Sequence, residues 1–267
     1  LVRAGSALGG LAITKPAGIL LEQHGPRVFY PLVALCGIAA ALGLLALRVD
    51  DVAGTPEVAT RTPAWAVWRR DGRYRLYLAA LLCLGVGLAS GEPLHAIVQV
   101  DRLHLSYDEL GTLATVRQVF LFLGYAACGW LIDRKGAAWT LRGIFLVAAV
   151  VPMSYMTATT GRGLLPAYVA MGLFDAGWDV TLLVAVMQLA RSPRELGAYA
   201  ALQTTVLGLR GFVGPFLGAR LLAAGVPPAT IFGAGAALAL AGAGLMELVR
   251  RSSSPVAAVE NGVPAAP

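Results

Sequence analysis

Charge is scarce in this chain of 267 residues: Asp, Glu, Lys and Arg together make up 13%, against roughly 25% in an average soluble domain. A soluble core of this size would not hide the apolar surface that remains, and a disordered chain would not contain it. Cysteine is nearly absent. Cys36, Cys83 and Cys128 stand in three different apolar runs, with no Cys-x-x-Cys or histidine spacing. That excludes a disulfide framework and a zinc site, and leaves them as small apolar side chains. Glycine is plentiful but without the strict period of three that collagen needs. The chain lacks a glycine-rich phosphate loop, a Ser-His-Asp set and a metalloprotease helix, so nothing points to an ATP-driven pump or an enzyme, and no cofactor or metal is expected.

What the chain does have is apolar length: 57% of its residues are hydrophobic and 32 are glycine. A helix crosses the hydrocarbon with about 20 predominantly apolar residues. Eight such runs occur, at 4–21, 28–47, 76–100, 109–132, 140–158, 163–190, 196–223 and 227–249. They are too long for the roughly 10-residue alternating strands of an outer-membrane barrel. The fold class is therefore an all-α polytopic membrane protein. Short connections carry turn chemistry, as in Arg134-Lys135-Gly136 and Gly225-Val226-Pro227-Pro228.

The net charge of +6 would, in a soluble protein, raise nucleic acid as a partner. Its distribution says otherwise. Fourteen of the 21 Lys and Arg fall in 48–75, 133–142, 191–195 and at the chain ends. The opposite side holds Arg27, Arg102, Arg162 and Arg220. By the positive-inside rule both termini and the 48–75 loop are expected in the cytoplasm, with the protein in the plasma (inner) membrane and lipid, not nucleic acid, as its surroundings.

The sequence opens at Leu1-Val2-Arg3 without an initiator Met or a signal-peptide pattern, so a fragment of a longer protein is expected. Residues 49–75 separate two spans from six. Within them, Thr62-Pro63 to Tyr74 reads either as an interfacial amphipathic helix, with Trp65 and Trp68 at headgroup level, or as a solvated linker. The tail from Ser252 to Pro267 is Ser/Pro/Ala-rich and expected to be disordered. The first two spans also resemble the last two in layout. Pro16 and Gly18 correspond to Pro215 and Gly218, followed by a Gly-Pro hairpin and an uncharged helix. Internal repeats of this kind build many secondary transporters.

Ionisable residues at membrane depth cost a few kcal/mol or more each and normally face a protein interior or an aqueous cavity. Six lie well inside the spans: Lys15, Glu92, Arg117, Asp175, Asp179 and Arg210. The second, fifth and eighth spans carry none, as expected of helices that face lipid while the others line a central space. Asp175 and Asp179 stand one turn apart and share a face with Tyr168 and Gly172. Two close carboxylates raise each other's proton affinity, which is proton-carrier chemistry; with Arg117 or Arg210 beside them they become a fixed ion pair instead. Glu92 precedes Pro93 and stands three residues before His95. A kinked or broken helix is expected there, lining a cavity in which His95 relays a proton, unless both side chains merely sit at a solvated mouth. Arg210 is either a fork for an anionic substrate group or the partner of Asp175 or Asp179. Gly208, Gly211, Pro215 and Gly218 form a small-residue stripe on the same helix, with Gly214 on the Arg210 face, and are expected to pack against a neighbour.

The fourth span ends in Gly129-Trp130-Leu131-Ile132-Asp133-Arg134-Lys135-Gly136. This resembles the signature loop of the major facilitator superfamily (MFS), Gly-x-Leu-x-Asp-Arg-x-Gly, although Ala137-Ala138 stand where the family has a basic pair. The Gly211-Phe212-Val213-Gly214-Pro215 segment looks like that family's Gly-Pro-rich helix. The resemblance implies that the eight spans are helices five to twelve of twelve. Residues 1–48 would then end the N-terminal six-helix bundle, 49–75 would be the central cytoplasmic loop, 76–250 the C-terminal bundle and 251–267 the tail. It further implies a monomeric secondary transporter that moves a small organic solute by alternating access, driven by protons, in the export direction. Gly129, Leu131, Asp133, Arg134 and Gly136 would form a gating loop. A receptor or scaffold that reuses the fold without transporting is the alternative.

Overall fold

The computed structural model describes residues 9–10, 13, 15–21, 23, 25–46 and 62–252, and every regular element among them is a helix. The helices are α1 (Pro26–Ala46), α2 (Ala64–Arg70), α3 (Gly72–Ala96), α4 (Tyr107–Lys135), α5 (Ala137–Thr157), α6 (Leu165–Leu189), α7 (Leu196–Ala223) and α8 (Pro228–Arg251). Six segments among the described residues are long and apolar enough to cross a membrane: Gly72–Arg102, Tyr107–Lys135, Ala137–Thr157, Gly161–Leu189, Pro193–Ala223 and Pro228–Arg251. These are the third to eighth expected spans. Of the second, α1 offers a shorter apolar stretch, Tyr30–Ala40. The first span lies partly outside the described residues, as do residues 49–61 of the linker and the tail from 253 onward.

Local chemistry sets the helix ends. Ser106 caps α4 by accepting from the Glu109 amide, and the Glu109 carboxylate accepts back from the Ser106 amide at 2.9 Å, a reciprocal box contributing about 1 kcal/mol. At the other end of α4 a single residue makes the corner into α5. Gly136 adopts φ 81° and ψ 164°, a region essentially closed to side-chain-bearing residues. The Gln188 side-chain carbonyl closes the corner from α6 by accepting from the Ala137 amide at 3.1 Å.

The six long helices form an open arc. In spatial order it runs α4, α6, α5, α8, α3, α7, each packed chiefly on its neighbours. The helices whose charged residues lie only at the arginine-rich end, α5 and α8, hold the middle, while α4 and α7 form the ends and are the least buried. One apolar core, built around Tyr74, Tyr77, Leu141, Phe145, Tyr199 and Met246, fills the arginine-rich end. A second, around Leu94, Tyr155, Leu164 and Phe232, fills the opposite end.

Two expectations need correction. The helix is not broken at Glu92-Pro93: α3 runs through Pro93 to Ala96. The irregular backbone comes four residues later, as a π-helical turn over Ile97–Arg102, where the Leu103 amide reaches the Val98 carbonyl. Proline withdraws one amide, and neighbouring helices stabilise the rest of the turn. The π register then takes up the misfit, as such bulges commonly do beside functional sites. The segment before α3 is helical only over Ala64–Arg70. Asp71 leaves the helix and caps α3, accepting from the Tyr74 amide at 3.0 Å, so Tyr74 belongs to the next element. Val67 of α2 is wholly buried, while Trp65 and Trp68 are exposed.

Candidate functional site: a charged cavity between the two cores

α4 and α6 run parallel and close together. A Cβ added to Gly124 would lie 2.8 Å from the Ala176 Cβ, and one on Gly172 would strike the Arg117 carbonyl. Small residues at a crossing are what permit such an approach. It brings the Arg117 guanidinium onto Asp175, with Nε and Nη2 donating to the same carboxylate oxygen at 2.8 and 2.5 Å. One turn further, the Tyr125 hydroxyl donates to Asp179 at 3.0 Å. Of the two cations open to this role, the structure pairs Arg117 with Asp175.

The pair borders a cavity of about 250 Å³ between the two cores, reached by Leu88, Gly91, Glu92 and His95 of α3, Met171 and Phe174 of α6, and Phe232 of α8. Glu92 is exposed toward it. His95 is stacked on Tyr155, with ring centres 4.1 Å apart, and lies nearly parallel to Phe232 at 5.9 Å. Gln99, on the π turn, holds this wall by donating to the Tyr155 and Tyr168 hydroxyls at 2.5 and 3.0 Å. Arg102 fixes the end of α5 through the Tyr155 and Ala158 carbonyls, both at 2.8 Å.

Arg210 is not with the α6 carboxylates. Its guanidinium lies 4.7 Å over the Trp178 ring, and its stem packs against Gly85. The buried Nε has no hydrogen-bond partner among the described residues. Lys15 is exposed, and its backbone passes 3.7 Å from where a Gly111 Cβ would stand, so the 15–18 segment lies across α4 at Gly18 and Gly111.

The small residues of α7 divide. Gly214 and Gly218 press on Ala89 and on the Ser90 carbonyl of α3, while Gly208 and Gly211 have no atom within 4 Å of an added Cβ. Pro215 is half-buried between them. In the Gly129–Gly136 segment Gly136 makes the corner, Asp133 is exposed, Arg134 stacks 4.6 Å over Trp130, Gly129 faces open space and Leu131 borders an apolar groove between α4 and α5.

Several participants were not singled out from sequence. Tyr125 and Arg117 are eight residues apart, two helical turns, so a tyrosine on the Arg117 face was the available signal. Trp178, Gln99 and Phe232 gave none. At the arginine-rich end, Asp71 accepts from the Tyr199 hydroxyl at 2.7 Å and from Arg191 at 3.2 Å. Burial pushes the Asp71 carboxyl up, but Tyr199, the Tyr74 amide and Arg191 outweigh it and hold the group below its ordinary range. Arg70 grips both Glu195 oxygens at 2.7 Å. These residues lie more than 100 positions apart, and spacing does not reveal them.

No protein-family model matches the chain. The chain is similar to the aspyridones efflux protein apdF of Emericella nidulans, with 24% identity over 223 residues that cover 82% of this chain and 44% of that protein. It thus spans less than half the length of that relative. Six membrane-length apolar helices and this likeness mark an integral membrane protein of transporter-like composition.

Proposed function

We propose that the chain belongs to a secondary active transporter that moves a small organic solute by alternating access, coupled to protons and working as an exporter. The observation that carries this is the cavity reaching Asp175: the Arg117–Asp175 pair and Glu92 border an open space between two apolar cores, where a fully packed scaffold would have covered them. The arc supports an MFS-type reading in which α3 to α8 are the C-terminal bundle. Residues 1–48 would complete the preceding bundle, bringing the count to eight spans of twelve, and both termini would be cytoplasmic. α4 and α7, the exposed ends of the arc, then face the missing half, and the whole protein works as a monomer. Asp179, Glu92 and, once released from Arg117, Asp175 are the proton-carrying candidates, with His95 beside Glu92, and the loop from Gly129 to Gly136 is the gate. The likeness to an efflux protein supports the direction.

Reconstituted with its complete upstream reading frame, the protein should move solute across vesicles in response to an imposed pH gradient. If Asp175→Asn and Asp179→Asn both leave that transport and its pH dependence intact, the proton assignment is wrong. The 267-residue chain alone should not transport, and activity in liposomes would overturn the half-transporter reading.

A further inference from the structure

We propose that α2 lies in the headgroup layer of an anionic membrane leaflet, its Trp65 and Trp68 rings among the lipid glycerols and Arg69, Arg75 and Arg194 against the lipid phosphates. This goes beyond the transport reading and needs only that α3 spans the membrane. α2 has two faces. Val67 is wholly buried in the core at the arginine-rich end, and Arg70 reaches across to grip Glu195. Trp65, Trp68 and Arg69, at helical spacings of three and four, share the outer face. Trp65 is 62% and Trp68 46% exposed, and the Arg69 guanidinium lies 5.6 Å over the Trp65 ring. Two large rings left uncovered side by side on so short an element mark a contact surface.

Position along the chain says what covers them. Only Asp71 separates α2 from Gly72, where the membrane-length segment Gly72–Arg102 begins. Trp65 precedes that start by about 10 Å of helix. Burial of Val67 holds α2 beside α3 and α7 and away from open solvent. The rings therefore sit at the hydrocarbon edge, the level at which tryptophan concentrates in membrane proteins. Charge then selects the lipid. Around this elbow the described residues carry Arg69, Arg70, Arg73, Arg75, Arg191 and Arg194 against Asp71 and Glu195. The ends of α4, α5 and α8 on the same side add Arg134, Lys135, Arg142, Arg250 and Arg251 against Asp133 and Glu247, so no acidic surface cancels the excess. Glu195 holds Arg70, and Asp71 holds Arg191. Arg69, Arg75 and Arg194 are exposed and make no ion pair among the described residues. The Arg75 guanidinium folds back toward the elbow, 3.6 Å from where a Gly72 Cβ would stand. Basic side chains at this level enrich anionic headgroups around them, several-fold for each one engaged.

The test uses the whole chain in nanodiscs of phosphatidylcholine and phosphatidylglycerol in fixed proportion. A brominated acyl chain, which quenches tryptophan fluorescence at contact, is carried either by the phosphatidylglycerol or by an equal amount of the phosphatidylcholine. The signal of Trp65 and Trp68 is the part lost in the Trp65→Phe/Trp68→Phe variant. Brominated phosphatidylglycerol should quench that part about 3-fold more than brominated phosphatidylcholine. Replacing Arg69, Arg75 and Arg194 together by Gln should bring the two lipids level while quenching by phosphatidylcholine persists. Replacing all three by Lys should keep the preference, which distinguishes lost charge from lost fold. Equal quenching by the two lipids in the unaltered chain, or a preference that survives the Gln variant, overturns the anionic selectivity. No quenching of that part by either lipid overturns the docking itself. Neither result touches the transport reading, which vesicle flux tests separately.

Discussion

At one end of the arc α4 runs beside α6, and the seam between them carries charge: Arg117 on Asp175, and Tyr125 on Asp179. At the other end α3 runs beside α7, also in parallel, and that seam carries one charged side chain, Arg210, whose stem packs on Gly85 while its guanidinium turns away onto Trp178; its remaining contacts are neutral. The Tyr74 hydroxyl donates to the Tyr199 carbonyl at 2.6 Å and Tyr77 to the Gln203 side chain at 2.5 Å, after which Ala89 meets Gly214 and Ser90 meets Gly218. Both seams rely on small residues for close approach. They differ in where polarity sits. The α3–α7 seam keeps its hydrogen bonds at the arginine-rich end and closes through small residues further along, whereas the α4–α6 seam places an ion pair on the cavity wall, with 46% of the Arg117 side chain and 31% of Asp175 exposed. A bond at the helix ends fastens; a bond on the wall of a cavity can exchange with what enters.

The hardest test of the fastening role is Gly218→Leu. Its side chain would have to displace the Ser90 backbone, and overpacking of this kind costs about 3 kcal/mol. Thermal unfolding in detergent should show a clear loss, and an unchanged midpoint would mean the α3–α7 contact is not a packed seam. Asp175→Asn comes next. It strands Arg117 beside the cavity, and because both side chains are partly exposed the cost is about 1–2 kcal/mol. A double-mutant cycle with Arg117→Gln checks it: coupling near zero would refute the pair.

Tyr199→Phe removes one donor from Asp71 and should cost about 1 kcal/mol. The Asp71 carboxyl is held below its ordinary value of 3.8 in the fold. The stability it contributes is therefore complete above that pH and drains away as pH falls through the lower folded value. Tyr199→Phe should shrink that acid-side loss, measured as the change in midpoint on acidification; an unaltered loss would remove Asp71 as its source. Smallest of all, Gly208→Ala and Gly211→Ala should shift this chain by no more than about 0.5 kcal/mol, since an added methyl meets nothing. A large destabilisation by either would show that α7 is covered after all.

The membrane-length helices were legible because run length and sparse charge are properties of single segments: the run read as 109–132 is α4, Tyr107–Lys135. Of the six ionisable residues singled out from the alternation of charged and clean helices, Glu92, Arg117 and Asp175 border one cavity, while Lys15, Asp179 and Arg210 do not line it. Which cation meets Asp175 was not legible, because Arg117 and Arg210 are equivalent in sequence and only the order of helices around the arc separates them. The stripe on α7 shows the same limit. Gly208 and Gly214 look alike in the chain, yet one faces open space and the other Ala89. Pro93 misled for a local reason: proline forbids one hydrogen bond, but tertiary packing decided that the helix would continue and loosen later.

The single-residue corner at Gly136 has a mechanical side. With no linker between them, α4 and α5 cannot tilt independently about their shared end, and any swing of α4 is delivered to α5 as a push on its first turn. The other end of α4 is joined to α3 through residues 103–106 and the π turn, where the backbone has slack to give. The Gly136 corner thus makes α4 a crank hinged at one end and welded at the other, and movement of the charged wall would be transmitted through the arginine-rich corner to the middle of the arc.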